Sequence, residues 1–191
     1  MIVLDLETSG LYPEKCGIWQ VGAVEFEKPE NIFLEECRID DDDEIQKEAL
    51  IICGKTEEEL KDKNKQSQKE MIEKLFKWIE KIKVKNLVCQ NPQFDFAFLT
   101  MKARKYNIKI PFHYRTIDLH SVAQTIYYIK NKSFSIDEDK CGMGLSKILE
   151  MCGEKDERMA LKNGEIVREG KPHNALEDAQ LEAKCLRKLL E

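Results

Sequence analysis

The stretch IVLDLETSGL at residues 2–11 contains two carboxylates in an apolar run that otherwise predicts a buried strand. Side chains at positions i and i+2 of a strand point to the same face, so Asp5 and Glu7 are expected to converge. Two adjacent anions are unfavourable there unless cations share the site, and Mg²⁺ or Mn²⁺ suits oxygen ligands. The spacing alone is weak, since 36 acids in 191 residues give about 7 such pairs by chance.

Strand and helix patterns extend along the rest of the chain. Two further strands are predicted at 17–26 and 31–39, where short connections favour antiparallel pairing, and the acidic run 40–45 is interpreted as a solvated loop. Apolar residues at helical spacing predict an amphipathic helix over 68–82. The remaining predictions are a strand at 86–91, a helix at 96–106, a strand tip and helix at 115–129, and helices at 144–152 and 175–190. This order favours a mixed sheet with helices packed on it.

Composition bounds the class of protein. The length suits one α/β domain, which we place at residues 1–191, and no repeat or linker divides it. No apolar run is long enough for a membrane helix, and no secretory signal is visible, so we expect no membrane partner. The seven cysteines are scattered and odd in number, which favours reduced thiols and a cytoplasmic location. A net charge of −5 disfavours a protein that coats long duplexes and favours a local, cation-assisted site.

Two other acids lie where strands and helices meet. In LVCQNPQFDFAFL (87–99), Asp95 follows a short apolar strand, although a role at the helix start is an equally good interpretation. In GKPHNALEDAQ (170–180), Asn174 followed by Glu177 resembles a capping box and predicts a helix start. Asp178 then lies in the first full turn, and His173 lies just before it on a loop, where a lone histidine is more often a surface residue.

The three segments together resemble the exonuclease motifs of the DEDDh (DnaQ-like) 3′–5′ exonuclease family. The motifs, DLETSGL, QNPQFDFAFL and HNALEDA, occur in the family's order, and the similarity covers nearly the whole chain. The resemblance implies a ribonuclease-H-like α/β fold, in which three antiparallel and two parallel strands form a five-stranded mixed sheet flanked by helices. The chain is most similar in kind to free-standing ribonuclease T, oligoribonuclease and polymerase III epsilon-like exonucleases.

The resemblance also implies roles for individual residues. His173 would be the general base, which suits an imidazole that titrates near neutrality. The metal-binding acids would be Asp5, Glu7, Asp95 and Asp178, holding two Mg²⁺ ions, with Mn²⁺ as a substitute. Substrate contacts are expected at Thr8, Leu11, Asn91 and Phe96. Apolar side chains at a strand–helix junction are core more often than a stacking surface, and Phe96 is the weakest of these assignments.

The implied activity is metal-dependent hydrolysis of phosphodiester bonds at the 3′ end of single-stranded DNA or RNA, releasing nucleoside 5′-monophosphates. A nucleic-acid-binding or scaffold protein that has lost activity is the alternative, but all five catalytic positions are present. A glycosidase would not call for four acids in this order. The chain ends 13 residues after Asp178, so we expect no polymerase-binding tail. Related free-standing enzymes are often dimers, which leaves a homodimer open.

Three features near the motifs have weaker interpretations. Gln90 stands where many family members have histidine, and we expect altered contacts rather than lost catalysis. Asp118 lies at a strand end and is expected to cap the next helix. The basic stretch 102–115 could follow the phosphate backbone, but a solvated helix face and loop explain it at least as well.

Overall fold

A five-stranded mixed sheet forms the centre of the computed structural model, which describes residues 1–191. Its strands are β1 (Ile2–Thr8), β2 (Ile18–Glu25), β3 (Lys28–Glu36), β4 (Asn86–Cys89) and β5 (His113–Asp118). In space they lie in the order β3-β2-β1-β4-β5. The first three pair antiparallel, while β4 runs parallel to both β1 and β5. The fold class predicted from the sequence is confirmed.

Seven helices and two small hairpins complete the chain. The helices are α1 (Lys47–Cys53), α2 (Glu57–Leu60), α3 (Gln68–Glu80), α4 (Pro92–Lys105), α5 (Leu119–Asn131), α6 (Leu145–Met151) and α7 (Ala175–Leu190). One hairpin pairs β6 (Ile136–Asp137) with β7 (Lys140–Cys141), and the other pairs β8 (Ala160–Lys162) with β9 (Glu165–Arg168). The sequence patterns had not indicated α1, α2 or the hairpins, because such short elements carry little periodicity. None of the seven helices is both long and apolar enough to cross a membrane.

The two faces of the sheet bury different sets of apolar side chains. Ile2, Leu4 and Leu6 of β1 point toward α3 and α4, where they join the larger core. Val3 points to the opposite face and packs in a second core with residues of α5, α6 and α7. Because side chains alternate along a strand, Asp5 shares the face of Val3 and lies on the side of α7.

The third strand differs from the prediction at both ends. It begins at Lys28 rather than at residue 31 and ends at Glu36, so Pro29 lies inside it. Proline lacks the N–H that a central strand needs, but β3 is at the edge of the sheet, where this is tolerated.

The acidic run 40–45 is not simply solvated, as the sequence had suggested. The carboxylate of Asp43 is buried and lies 2.5 Å from the ammonium of Lys102 on α4. Lys105, one turn further along α4, lies 2.8 Å from both Asp40 and Asp42. The run therefore binds the start of the basic stretch instead of leaving it free.

Helix α7 packs unusually close to β2. A Cβ atom on Gly22 would lie 2.1 Å from the backbone nitrogen of Leu176, so only glycine permits this approach. The side-chain oxygen of Gln20 accepts a hydrogen bond from the N–H of Ala175 at 2.8 Å, which anchors the first turn of the helix. Gly22 pairs with Asp5 in the β1–β2 ladder, so this contact fixes α7 beside the first acid.

Candidate active site

The first two acids lie on the face of β1 that α7 covers. Asp5 pairs with Gly22 and Glu7 pairs with Gln20 in the ladder with β2, so the two carboxylates share one face as the sequence predicts. Glu7 is buried, and Asp5 keeps part of its surface accessible. A β-bulge follows between Glu7 and Thr8, where the strand leaves its regular register.

Asp95 reaches the same site from α4. The short strand β4 ends at Cys89, and α4 begins at Pro92, a residue suited to a first helical position. Asp95 then lies in the first turn and is buried. Burial raises the pKa of its carboxyl and outweighs the Cys89 thiol and the backbone of Leu6 on β1, which lie near it and favour its ionised form.

Asp178 and His173 arrive together at the start of α7. Asn174 caps the helix by accepting hydrogen bonds from the N–H groups of Leu176 and Glu177, so the predicted helix start is confirmed. Asp178 is buried one turn later, and Nδ1 of His173 lies 3.6 Å from its Oδ2.

His173 is held on its loop by backbone contacts. The ring Nε2 lies 2.9 Å from the carbonyl oxygen of Met159, and the backbone N–H of His173 donates to the carbonyl of Ile52. One ligand atom from each of Glu7, His173 and Asp178 lies within 4.8 Å of the other two, a spacing at which they could share a metal ion.

The carboxylates of this site disfavour one another's ionisation. Burial and the charge of Asp178 raise the pKa of Glu7 to about 8. Burial likewise raises the pKa of Asp95 to about 8. The pKa of Asp5 is raised well above its usual range, first by burial and then by the negative charge of Glu7. Such a cluster retains protons at neutral pH unless cations compensate it.

Two charged residues of the site had escaped sequence analysis. Glu182 lies one turn after Asp178 on α7 and is 1% exposed, so the i+4 spacing of two acids was a signal that could have found it. Arg158 lies in an irregular segment before β8 and donates to Oδ2 of Asp178 at 3.3 Å. The Nε and Nη2 atoms of Arg158 donate to the carboxylate of Asp156, which holds the guanidinium in place. No local pattern announces Arg158.

An apolar cleft of about 570 Å³ adjoins Glu7. Thr8 and Leu11, both predicted to contact substrate, line it, and Leu11 is largely exposed. Phe94 closes the side formed by α4, and Leu161 of the β8–β9 hairpin adds another apolar surface. The volume falls in the range of small-ligand sites.

The other two predicted substrate contacts lie elsewhere. Asn91 precedes α4 in a left-handed conformation with φ 64° and lines a separate polar cavity of about 920 Å³. Phe96 is not among the residues that line the apolar cleft, and it packs edge-on against Phe112, with ring centroids 5.5 Å apart. Phe96 is therefore part of the core packing of α4, and Phe94 is the aromatic side chain that the cleft presents.

The structure also shows the contacts of Asp118, Gln90 and the basic stretch 102–115. Asp118 caps α5 by accepting from the N–H groups of His120 and Ser121, as predicted. The backbone N–H of Gln90 donates to Oε1 of Glu182 at 3.2 Å, and its side chain reaches the carbonyl of Met143. Lys102 at the start of the basic stretch is buried against the acidic run.

Comparison with known proteins agrees with this geometry. The family model for exonucleases of the RNase_T type matches residues 2–186, nearly the whole chain. The PolC-type DNA polymerase III proteins of Thermotoga petrophila and Thermotoga maritima are each 29% identical to this chain over 145 residues. That alignment covers 75% of this chain but only 10% of each relative.

Solved structures share the fold at low sequence identity. The nuclease domain of 3′hExo, a DEDDh family member bound to rAMP, is 17% identical and superposes with a TM-score of 0.69, covering 99% of this chain and 90% of that domain. Exonuclease I of Escherichia coli in complex with single-stranded DNA is 17% identical with a TM-score of 0.72, covering 99% of this chain and 39% of the other. Because the family model matches residues 2–186, the chain belongs to the RNase_T exonuclease family, and it shares the fold of these solved nucleases.

Proposed function

We propose that this chain is a metal-dependent 3′–5′ exonuclease that removes nucleoside 5′-monophosphates from single-stranded nucleic acid. The observation that carries the proposal is the convergence of four acids, Asp5, Glu7, Asp95 and Asp178, from three separate elements beside His173. A fold does not require buried carboxylates to meet in this way, since their mutual repulsion destabilises it.

The residues present fit divalent cations. The donors are carboxylate oxygens, which hard ions such as Mg²⁺ and Mn²⁺ prefer, and Oδ1 of buried Asp178 has no hydrogen-bond partner. Asp5, Glu7, Asp95 and Asp178 would hold two such ions. When bound, the ions would supply an activated water and neutralise charge on the phosphate and the leaving oxygen.

In this proposal His173 would take the proton of the attacking water. A carbonyl oxygen can only accept a hydrogen bond, so the contact with Met159 places the proton of the neutral ring on Nε2. Nδ1 then carries the free lone pair on the side of Asp178. In this arrangement Nδ1 is the basic atom of the proposed reaction.

The apolar cleft is proposed to receive the terminal nucleoside. Leu11 and Phe94 offer surfaces on which a base could pack, and Thr8 lines the same cleft beside Glu7. The solved neighbours support a nucleic-acid ligand, since one binds rAMP and another single-stranded DNA. The PolC-type relatives are DNA polymerases, which supports DNA ends as substrates. RNA ends are the alternative substrate, and the experiment compares the two.

A labelling experiment tests both the activity and its direction. With Mg²⁺, a single strand labelled at its 5′ end should shorten progressively, whereas a strand labelled at its 3′ end should release labelled mononucleotide at once. DNA and RNA strands are compared in parallel, and Asp5→Asn serves as the inactive control. Release from the 5′ end, internal cuts, or full activity in Asp5→Asn would overturn the proposal.

A further inference from the structure

Glu182 is a buried carboxylate that the three family motifs do not account for. It lies on the face of α7 that carries Asp178, one helical turn later, and is only 1% exposed. Burying a charge of this kind is costly unless it is paired or binds a cation. Its presence beside the acidic site therefore needs an explanation.

Only one of the two carboxylate oxygens of Glu182 has a hydrogen-bond partner within the protein. Oε1 of Glu182 accepts from the backbone N–H of Gln90 at the end of β4, at 3.2 Å. Oε2 is fully buried and has no partner. A glutamine would satisfy the same N–H without introducing a charge, so the contact with Gln90 does not require a carboxylate.

The unpaired oxygen belongs to the same acidic site. Burial raises the pKa of Glu182 well above its usual range, and the charges of Asp95 and Asp178 raise it further. Oδ1 of Asp178 is also buried without a partner. Two unpaired carboxylate oxygens, one turn apart on one helix face, thus lie among acids that attract cations.

The charge balance of the site also favours a fifth acid. The four motif acids match the charge of two divalent cations, but Arg158 adds a positive charge 3.3 Å from Asp178. Asp156 pairs with Arg158 but also accepts from Arg168 at 2.7 Å, so these three side chains together carry one positive charge, which Glu182 offsets.

We propose that Glu182 is a fifth carboxylate of the metal site, with Oε2 as an additional oxygen for the divalent cations. The inference rests on the proposed metal-dependent function and adds a residue to its site. It predicts that Glu182 strengthens cation binding, and that without cations it makes the folded protein less stable.

Cation binding tests the proposal without relying on activity. Metal-free wild type and Glu182→Gln are titrated with Mn²⁺ by calorimetry, and their melting temperatures are measured with and without the ion. The variant keeps an acceptor for the N–H of Gln90, so we expect it to fold. We expect Mn²⁺ affinity about 10-fold weaker, together with a higher melting temperature in the metal-free state.

Matched controls separate the possible outcomes. Glu177→Gln, an exposed position on the same helix, should bind Mn²⁺ like wild type. Equal affinity and equal metal-induced stabilisation in Glu182→Gln would overturn the inference alone, whereas a wild type that binds no divalent cation would overturn the metal-dependent function itself. If circular dichroism shows that Glu182→Gln is unfolded, Glu182→Asp replaces it, and wild-type affinity in that shorter side chain likewise overturns the inference.

Discussion

The Nδ1 atom of His173 lies 3.6 Å from Oδ2 of Asp178, while Nε2 of the same ring faces the carbonyl oxygen of Met159 at 2.9 Å. The two ring nitrogens therefore have separate tasks. Nε2 anchors the ring through its proton, and Nδ1 presents its lone pair to the acidic site. A loop residue thereby has the fixed orientation that the proposed general base requires.

Substitution of His173 by alanine should lower kcat by about 10²–10⁴-fold, the usual contribution of a positioned base. Mn²⁺ should still bind to this variant, because the four carboxylates proposed to hold the ions remain even though the ring nitrogen near Glu7 and Asp178 is lost. Steady-state kinetics on a labelled single strand and calorimetry on the same preparation measure the two effects. A variant with wild-type kcat would contradict the role of this ring, and a nitrogen-correlation spectrum that places the neutral ring's proton on Nδ1 would contradict its orientation.

The metal-free protein should lose stability as the pH rises from about 4 to about 8. Glu7 and Asp95 have a pKa of about 8 in the folded state, above the ordinary carboxyl range, so the folded protein binds more protons than the unfolded chain in this window. Unfolding by urea in EDTA, between about pH 5 and about pH 8, should show the decline. Saturating Mg²⁺ should flatten it, because bound cations keep the carboxylates ionised. A metal-free protein that becomes more stable over this range would refute the assignment.

Gly22→Ala should displace the start of α7. The new Cβ would meet the backbone of Ala175 and Leu176 at 2.2 and 2.1 Å, and backbone cannot rotate away as a side chain can. We expect a loss of about 1–3 kcal/mol in the free energy of unfolding, and a larger relative loss of activity because Asp178 moves away from Asp5.

The control for this glycine is Gly144→Ala. Gly144 precedes α6 with φ −67°, and nothing lies within 4 Å of an added Cβ. Its stability and activity should stay near those of wild type. Thermal melts and initial rates compare both variants, and an unimpaired Gly22→Ala would show that α7 tolerates the displacement.

The motif acids were predictable because their signals are local. Asp5 and Glu7 alternate along one strand, and the cap of α7 at Asn174 fixes where Asp178 lies in its first turn. The sheet and its mixed pairing follow from the family resemblance and the apolar runs. Residues that reach the site through tertiary structure carry no such signal, and Arg158, on an irregular segment, is the clearest example.

Other errors share a physical cause, since one sequence pattern can serve two environments. Asp43 belongs to an acidic run typical of a solvated loop, yet a lysine from a distant helix buries it. Likewise, Phe94 and Phe96 are two residues apart on a helix and so face different directions, which composition alone cannot assign. In both cases the packing partner, Lys102 for Asp43 and Phe112 for Phe96, is distant in sequence, so only the three-dimensional structure shows the role of the residue.

Lys102→Met should destabilise the protein without weakening its binding of single-stranded nucleic acid. The side chain of Lys102 is 4% exposed and its ammonium pairs with buried Asp43, so its loss leaves a buried charge with weaker compensation, a cost of about 3 kcal/mol. The KM for a single strand should not change in the folded variant. Arg104→Ala, an exposed change on the same helix, should leave stability within about 0.5 kcal/mol. A raised KM in folded Lys102→Met would indicate instead that this lysine contacts the nucleic acid.

Phe94→Ala and Phe96→Ala should differ in kind. Phe94 lines the apolar cleft, so its truncation should raise KM for a single strand several-fold by removing a surface for the terminal base, worth about 1–3 kcal/mol. Phe96 packs against Phe112 in the core, so its truncation should mainly lower the free energy of unfolding, by about 3 kcal/mol. Michaelis constants and urea midpoints on both variants separate the two roles. If Phe96→Ala raised KM while Phe94→Ala did not, the terminal base would have to be placed on the other side of α4.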